Sequence, residues 1–533
     1  MRLSRKPLLI PPVVLLVFLG IFLWTAAPSV FFGDSGELQT VALRGGVAHP
    51  TGYPTFVLLG QIFGRIPGGD PARRITAMSA FFAAASVCVL FLVLKRYVLS
   101  TGTALAGAVA YGFSFTFWWS AIRAEVYTLS IFLFLSSLWL TLHALERTTL
   151  LRASAAAAAL GLTMTGHHAF APAVLVLGLV LAFNRPTGTR RAVYWPVLAA
   201  SFIAGLAPYA YCIWADSSGC PMNYLRYSIE LSSGQYGLTE ETFADPFRRL
   251  FWLVRGGNAA SIKLFDPAEL ARTSAQLFIT QFIYQFGIVA LPVFVIGIIH
   301  LLRHRNKKAW ILFGTILTAA VFTIVFGDRR MVSIFAMPIT IFVATAISFG
   351  LLVLSRRFFG DGRRLSPREA LIAVLFVAAM IATPHLIRSS WDGSASIKKS
   401  MKVLVEAEPD ITTIIPNLRN YTEPRDFAER VLSLVPRDAL VVGLWDIMAL
   451  FYLHHVEGMR PDITLEPYFP EHYVRLERWD DRHDLAERPI VFVGRITSRM
   501  KNLECLEKIT VDEESSMYVC RGPFSNIERC LNR

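Results

Sequence analysis

The sequence is poor in charge and in cysteine. Only 17% of its 533 residues are Asp, Glu, Lys or Arg, against 54% that are hydrophobic, and the mean hydropathy is +0.48. A soluble chain of this length carries more charge and fewer long apolar runs, so a soluble globular enzyme is excluded. Six cysteines are too few for a disulfide scaffold. No CxxC pair or His/Cys cluster has zinc-site spacing. Cys212 and Cys220 lie close together, and Cys505, Cys520 and Cys530 fall in the tail. In an oxidising compartment a bridge is open to them, with no partner assigned by sequence. No repeat or low-complexity run stands out. The first apolar run lacks a small-residue cleavage site after it, which predicts a retained first helix.

What is present in quantity is apolar runs long enough to cross a hydrocarbon core about 30 Å thick. They predict spans at 8–28, 75–94, 103–120, 126–145, 153–166, 169–183, 194–214, 277–302, 309–326, 331–354 and 368–387. The expected fold class is therefore an all-α polytopic membrane bundle of about eleven transmembrane helices. A small α/β soluble domain is expected after it. The bundle takes residues 1–387, with non-cytoplasmic loops at 29–74 and 215–276, and the α/β domain takes 388–533. In that tail, Ala439–Gly443 and Ile490–Gly494 read as short buried strands, with a helical pattern near Ile447–His455 between them.

The net charge of +13 sits in short clusters between apolar runs. Examples are Lys95/Arg96, Arg190/Arg191 and Arg356/Arg357. This is the pattern of the positive-inside rule, not of a nucleic-acid footprint. It orients the N-terminus to the cytoplasm and places the tail on the opposite side. With that orientation Asp34, Glu37, His49, Arg123, Glu125, His167, His168, Asp328, Arg329 and Arg330 all fall at the non-cytoplasmic face. Ionisable groups at a membrane boundary are costly unless paired or wet, so the concentration predicts a shared polar cavity; boundary anchoring is the competing account. The segment 216–273, with Trp252, Arg255 and Asn258, is long enough to be functional or docked on something.

The densest signal is Phe31 to Pro54, FFGDSGELQTVALRGGVAHPTGYP. Asp34 followed three positions later by Glu37 fits a capping box, with Leu38, Val41 and Ala42 as the apolar face and Gly45-Gly46 as the stop. Capping does not account for His49-Pro50-Thr51-Gly52-Tyr53-Pro54, whose prolines fix φ and restrict their neighbours. Such a rigid polar loop holds groups in place. His49, His167 and His168 can hydrogen-bond sugar or phosphate. A divalent metal is possible there but not indicated, because a lone His pair is a poor ligand set. Tyr53, Trp118 and Trp119 suit stacking on a sugar face or an interfacial aromatic belt.

The segment GDSGELQTVALRGGVAHPTGYPTFVLLG resembles the N-terminal signature of the protein O-mannosyltransferase-like family. These are polytopic C-type (GT-C) membrane glycosyltransferases, relatives of the enzymes that O-mannosylate plexin-type receptor domains. Ser114 to Trp118, Ala124 to Tyr127, Gly161 to His168 and, more weakly, Gly458 to Asp462 extend the resemblance, which is strong over about residues 29–210. It implies transfer of a sugar, mannose by analogy, from a polyprenyl-phosphate donor to an acceptor hydroxyl on protein Ser/Thr or glycan, with inversion. Asp34 matches the base, and Glu37 is its helper or only its capping partner. The carrier phosphate is already a good leaving group. What remains is to accept the acceptor's proton and to hold charge on the departing phosphate, for which Arg123, Arg329 and Arg330 have the right sign. Tyr53, Glu125 and Asp328 complete the expected substrate site. No cofactor and no nucleic acid are expected. The expected location is a bacterial inner membrane, with the site and tail on the periplasmic or extracellular face. A transporter or flippase for a lipid-linked saccharide is the runner-up. It would favour paired broken helices in two related halves, which the sequence does not show. A scaffold that presents the tail domain is a third reading.

Overall fold

This computed structural model describes residues 9–98, 100–225, 244–256, 278–303, 307–326, 337–359, 416–443, 447–467, 488–494, 506–512 and 515–520, with scattered positions between 367 and 382. The chain opens with α1 (Ile10–Thr25), then α2 (Gly33–Arg44), the two-residue strand β1 (Gly46–Val47) and α3 (Pro54–Gly64). The bundle continues with α4 (Pro71–Val98), α5 (Thr101–Gly112), α6 (Phe115–Ala121), α7 (Val126–Glu146), α8 (Leu150–Met164), α9 (Ala171–Phe183), α10 (Arg191–Gly205) and α11 (Tyr209–Ser217). Helices Ala290–Arg303, Lys307–Phe326 and Met337–Phe359 follow.

Among the described residues three helices are long and apolar enough to cross a membrane: Pro71–Arg96, Val126–Glu146 and Met337–Phe358. The pair α10 and α11, bent by 42° at its break, makes a fourth if it counts as one span. Two of the expected spans are built differently from single continuous helices. The span read at 103–120 is two helices, parted at Phe113-Ser114 where α5 stops after Gly112. The span read at 194–214 breaks before Pro208, which has no N–H to continue α10. Several others are short apolar helices, such as Ile10–Thr25 and Leu150–Met164. The outer faces remain apolar: Leu16 is 66%, Ile203 65% and Phe183 81% exposed. Surface of this kind belongs in lipid, where the backbone groups of each helix are satisfied internally. Inside the bundle small residues allow close approach. A Cβ on Gly161 or Gly205 would run into the backbone of the facing helix across the α8–α10 contact.

The loop read between the first two spans is itself built. It holds α2 and α3, packed through Ala42 against Gly60, where an added Cβ would come within 2.6 Å of the Ala42 side chain. The second loop docks on the first. β2 (Met222–Asn223) pairs in parallel with β1, Arg249 holds Asp216 at 2.6 Å, and Leu253 of helix Pro246–Val254 is fully buried. Trp252 is buried in the same helix and Arg255 is exposed at its end; Asn258 lies outside the described residues. Cys212 and Cys220 are both free thiols, as is Cys520; Cys505 and Cys530 are not among the described residues.

The tail carries a five-stranded sheet. β3 (Leu440–Gly443) lies between β4 (Thr464–Pro467) and β5 (Ile490–Val493) in parallel, and β7 (Ser516–Cys520) and β6 (Glu507–Thr510) complete it antiparallel. Buried on every position, β3 and β5 are the continuous apolar runs expected of central strands. Helix Met448–His455 is buried from Met448 through Leu453, because the sheet domain covers one side and α2 the other. Arg460 of the Gly458 to Asp462 motif donates to the carbonyls of Leu432, Val435 and Pro436, closing the end of helix Glu423–Leu434, and is held by Asp462 at 2.8 Å.

Candidate active site

α2 begins without a side-chain cap: its N-cap is Phe32, and Asp34 stands in the first turn. The capping-box reading of Asp34 and Glu37 is therefore corrected. The apolar face predicted for this helix is present, with Leu38, Val41 and Ala42 buried. Gly45 ends the helix at φ 79, its N–H donating to the Val41 carbonyl. This left-handed conformation suits glycine and turns the chain back on itself. The reversal brings His49 over α2. Its backbone N–H donates to Glu37 Oε1 at 2.9 Å, its Nδ1 lies 2.5 Å from Glu37 Oε2, and its Nε2 lies 3.7 Å from Asp34 Oδ2. Side-chain exposure rises along this chain of groups, from 0% for Glu37 to 17% for His49 and 31% for Asp34. The open end is Asp34.

The electrostatics follow from that gradient. Burial raises Glu37, and the facing imidazole works against it. Burial alone would lower His49, but the Glu37 and Asp34 carboxylates outweigh it and push the imidazole up to about 9. His49 is thus a cation at neutral pH, held from behind by one carboxylate and facing another.

A second carboxylate group stands beside the first. Glu125, at the N-cap of α7, accepts a hydrogen bond from Ser35 Oγ at 3.2 Å and lies 3.2 Å from Arg123 Nε. Ser79 Oγ fixes its backbone, accepting from the Glu125 N–H at 3.0 Å and donating to the Glu125 carbonyl at 3.1 Å. Burial raises Glu125 and the Arg123 cation opposes this. The Arg123 guanidinium lies over the Trp119 ring at 5.2 Å and near Phe31 at 6.0 Å, which places it in the interior and not among lipid head groups. Trp118 and Trp119 are buried, and Trp118 donates to Thr25 Oγ1, so neither forms a surface belt.

Tyr53 closes the other side. Its hydroxyl donates to the Pro50 carbonyl at 2.7 Å, its ring meets His49 edge-on at 5.0 Å, and it stacks on His167 at 5.9 Å. His167 stacks in turn on His168 at 4.7 Å and accepts the Ala169 N–H on Nδ1, which leaves its proton on Nε2. Burial, then the neighbouring His168 and His49, keep His167 neutral. Beside His167 runs a narrow cavity lined by Tyr127, Ile131, Phe170 and Met337.

Eight of the residues singled out by sequence therefore form one continuous cluster: Asp34, Glu37, His49, Tyr53, Arg123, Glu125, His167 and His168. Asp328, Arg329 and Arg330 lie outside the described residues. Among the described residues no three His, Cys, Asp or Glu side chains converge as metal ligands. Sequence reasoning missed Ser35 and Ser79. Ser35 stood inside the signature, flanked by Asp34 and Gly36. Ser79 looked like one small residue of an apolar span, and nothing in its neighbours marked it.

Residues 34–190 match the family model described as the protein O-mannosyl-transferase TMEM260 N-terminal domain. Over 530 residues the chain is 24% identical to the protein O-mannosyl-transferase TMEM260 of mouse, covering 94% of this chain and 69% of the relative. It is 26% identical over 501 residues to the protein of the same name from Dictyostelium discoideum, covering 85% of this chain and 56% of the relative. The fold is similar to that of ArnT from Cupriavidus metallidurans bound to undecaprenyl phosphate, with a TM-score of 0.56 at 12% identity over 96% of this chain and 97% of ArnT. The apo state of the same protein gives 0.51. The matched domain and the two relatives that share one name thus make the chain similar to the protein O-mannosyl-transferases, on a fold similar to that of ArnT.

Proposed function

We propose that the chain transfers a sugar, mannose by likeness to its relatives, from a polyprenyl-phosphate-linked donor to an acceptor hydroxyl. Asp34 acts as general base. The observation that carries this is the graded Glu37–His49–Asp34 series, in which the most exposed carboxylate is backed by a half-buried, partnered imidazole. In the step we infer, the acceptor O–H gives its proton to Asp34 while its oxygen bonds to the anomeric carbon. The bond from that carbon to the phosphate oxygen breaks on the opposite face, so configuration inverts and the polyprenyl phosphate leaves with the electron pair. His49, which faces Asp34, and Arg123, which faces Glu125, are the cations of the cluster with the right sign to hold the negative charge that develops on the departing phosphate. Tyr53, His167 and His168 supply a stacked wall for the sugar.

The rest of the reading concerns placement. Short apolar helices, together with segments outside the described residues, would bring the crossings to eleven. The active face and the tail would lie away from the cytoplasm, in a bacterial inner membrane, with protein Ser/Thr or glycan hydroxyls as acceptors. Cysteine labelling at position 35 from outside intact cells checks the orientation. The function itself is tested by native mass spectrometry of the purified protein. A co-purifying polyprenyl phosphate or its sugar ester is expected; no such lipid, and no uptake of added undecaprenyl phosphate, would reject the reading.

A further inference from the structure

The tail helix Met448–His455 packs on α2, the helix that presents Asp34 and Glu37. The contact is tight at Gly36, where a Cβ would lie 3.1 Å from both the carbonyl carbon and the Cβ of Met448 and 2.5 Å from the Phe31 carbonyl oxygen. Gly36 sits between two residues of the site: Ser35, which donates to Glu125, and Glu37, which holds His49. Around this contact the tail is tied to the membrane part by polar groups. Tyr452 Oη accepts the N–H of Ala72 at the start of α4, at 3.0 Å. Arg425 donates to Ser29 at 3.2 Å and lies 3.6 Å from Asp70, while its other bonds hold Glu457 at 2.7 and 2.8 Å and Glu429 at 2.7 Å. Ser29 in turn donates to Asp70 at 2.6 Å. The Leu418 N–H donates to the carbonyl of Thr25, and Phe32 meets Phe427 edge-on at 5.8 Å. The tail thus grips the segment that leads into α2 and the start of α4 beside it.

We propose that the C-terminal sheet domain is a working part of the active site, its Arg425 and Tyr452 being positioning residues that fix the direction of α2 and so aim Asp34. A carboxylate on a short helix changes direction with any rotation of that helix, and a misplacement of about 1 Å at a reacting group is enough to cost about a hundredfold in rate. The reading rests on Asp34 being the base. It differs from the view of the tail as a separable module, which would leave α2 indifferent to it.

The test uses the full-length protein in detergent, comparing the wild type with Arg425→Ala/Tyr452→Phe and, separately, with Gly36→Ala. Hydrogen–deuterium exchange is read at the amides of α2, with α7 as internal reference. Transfer is read with undecaprenyl phosphate mannose as donor and a serine/threonine peptide as acceptor. For the double variant we expect exchange in α2 at least tenfold faster with α7 unchanged, and kcat at least tenfold lower with the donor KM unaltered. Gly36→Ala should show the same split of kcat from KM with both anchors intact. Unchanged exchange in α2 overturns the proposal whatever the activity does, and so does faster exchange with wild-type kcat. Asp34→Asn, measured alongside, separates the two failures. Full turnover there removes the base itself, whereas an inactive Asp34→Asn beside a fully active double variant removes only the role of the tail.

Discussion

The first loop and the tail each hold a charged cluster bound to a chain reversal, and they use charge in opposite ways. In the tail, Arg460 spends its donors on the carbonyls of Leu432, Val435 and Pro436, and Asp462 closes the remaining side. Every charged atom there has a fixed partner in the fold. In the first loop, Glu37 and His49 satisfy one another, but the series runs outward to Asp34, which is 31% exposed. Charge aimed at backbone stabilises a helix end; charge at the exposed end of a series can be reached by a substrate. Both clusters carry residues that the sequence motif singles out, so only their geometry tells them apart.

Replacing the open carboxylate should have the largest effect. Asp34→Asn keeps shape, and Asp34 stands in the first turn of α2 and not at its N-cap. Stability should hold, while a neutral amide cannot accept the acceptor's proton, so transfer should fall by about a hundredfold or more. Thermal denaturation and a transfer assay on the same preparation check both halves. An active Asp34→Asn protein would move the base, with Glu125 the next carboxylate in the cluster.

The tail offers the converse. Arg460→Ala strips the end of helix Glu423–Leu434 of its donors, and losing charge-assisted bonds to three carbonyls should cost about 2 kcal/mol of tail stability. The loss should appear as faster hydrogen exchange in residues 423–443, without any change in the affinity for undecaprenyl phosphate. A change in lipid affinity would place Arg460 in the site after all.

What the sequence made legible follows the same division. The apolar face of α2 and its Gly45 stop were readable because helix periodicity and a left-handed glycine are local signals. So were β3, β5 and the helix between them, which fall where the residue pattern put them. The partner of Glu37 was not readable, because His49 is brought back by the turn at Gly45-Gly46 and a contact of that kind has no period. The capping box looked right in spacing, yet the side chain that was to reach back to the helix start reaches His49 instead. α3 escaped notice because its 11 residues, begun by Pro54, are too few to read as a span. The break at Phe113-Ser114 was hidden in the opposite way, since apolar residues continue across it.

A third substitution sharpens the contrast inside the site. Glu37→Gln removes the buried charge behind His49 but retains an oxygen to accept the His49 N–H, now at 2.9 Å. The loss of transfer should be about tenfold, well short of that for Asp34→Asn, because Glu37 acts through the imidazole and not on the acceptor. Equal losses would mean that the two carboxylates work as one unit.

The smallest effect expected is in the pH dependence of stability, and its sign is set by His49. The imidazole is raised from 6.5 to about 9: burial lowers it, but Glu37 and then Asp34 raise it by more. The folded protein therefore binds this proton more tightly than the unfolded chain does. The resulting stabilisation is fully present below about pH 6.5, shrinks as pH rises and is lost once pH passes the folded value near 9. Other groups titrate in the same range, so the informative quantity is the difference between the wild type and Glu37→Gln. Thermal midpoints of the two, measured from about pH 6 to pH 10, should converge as pH rises, because the variant has already lost the first of the carboxylates that hold the proton. Curves that stay parallel would show that His49 is neutral in the folded protein, and the cation facing Asp34 would then have to be found elsewhere, with Arg123 the other cation of the cluster.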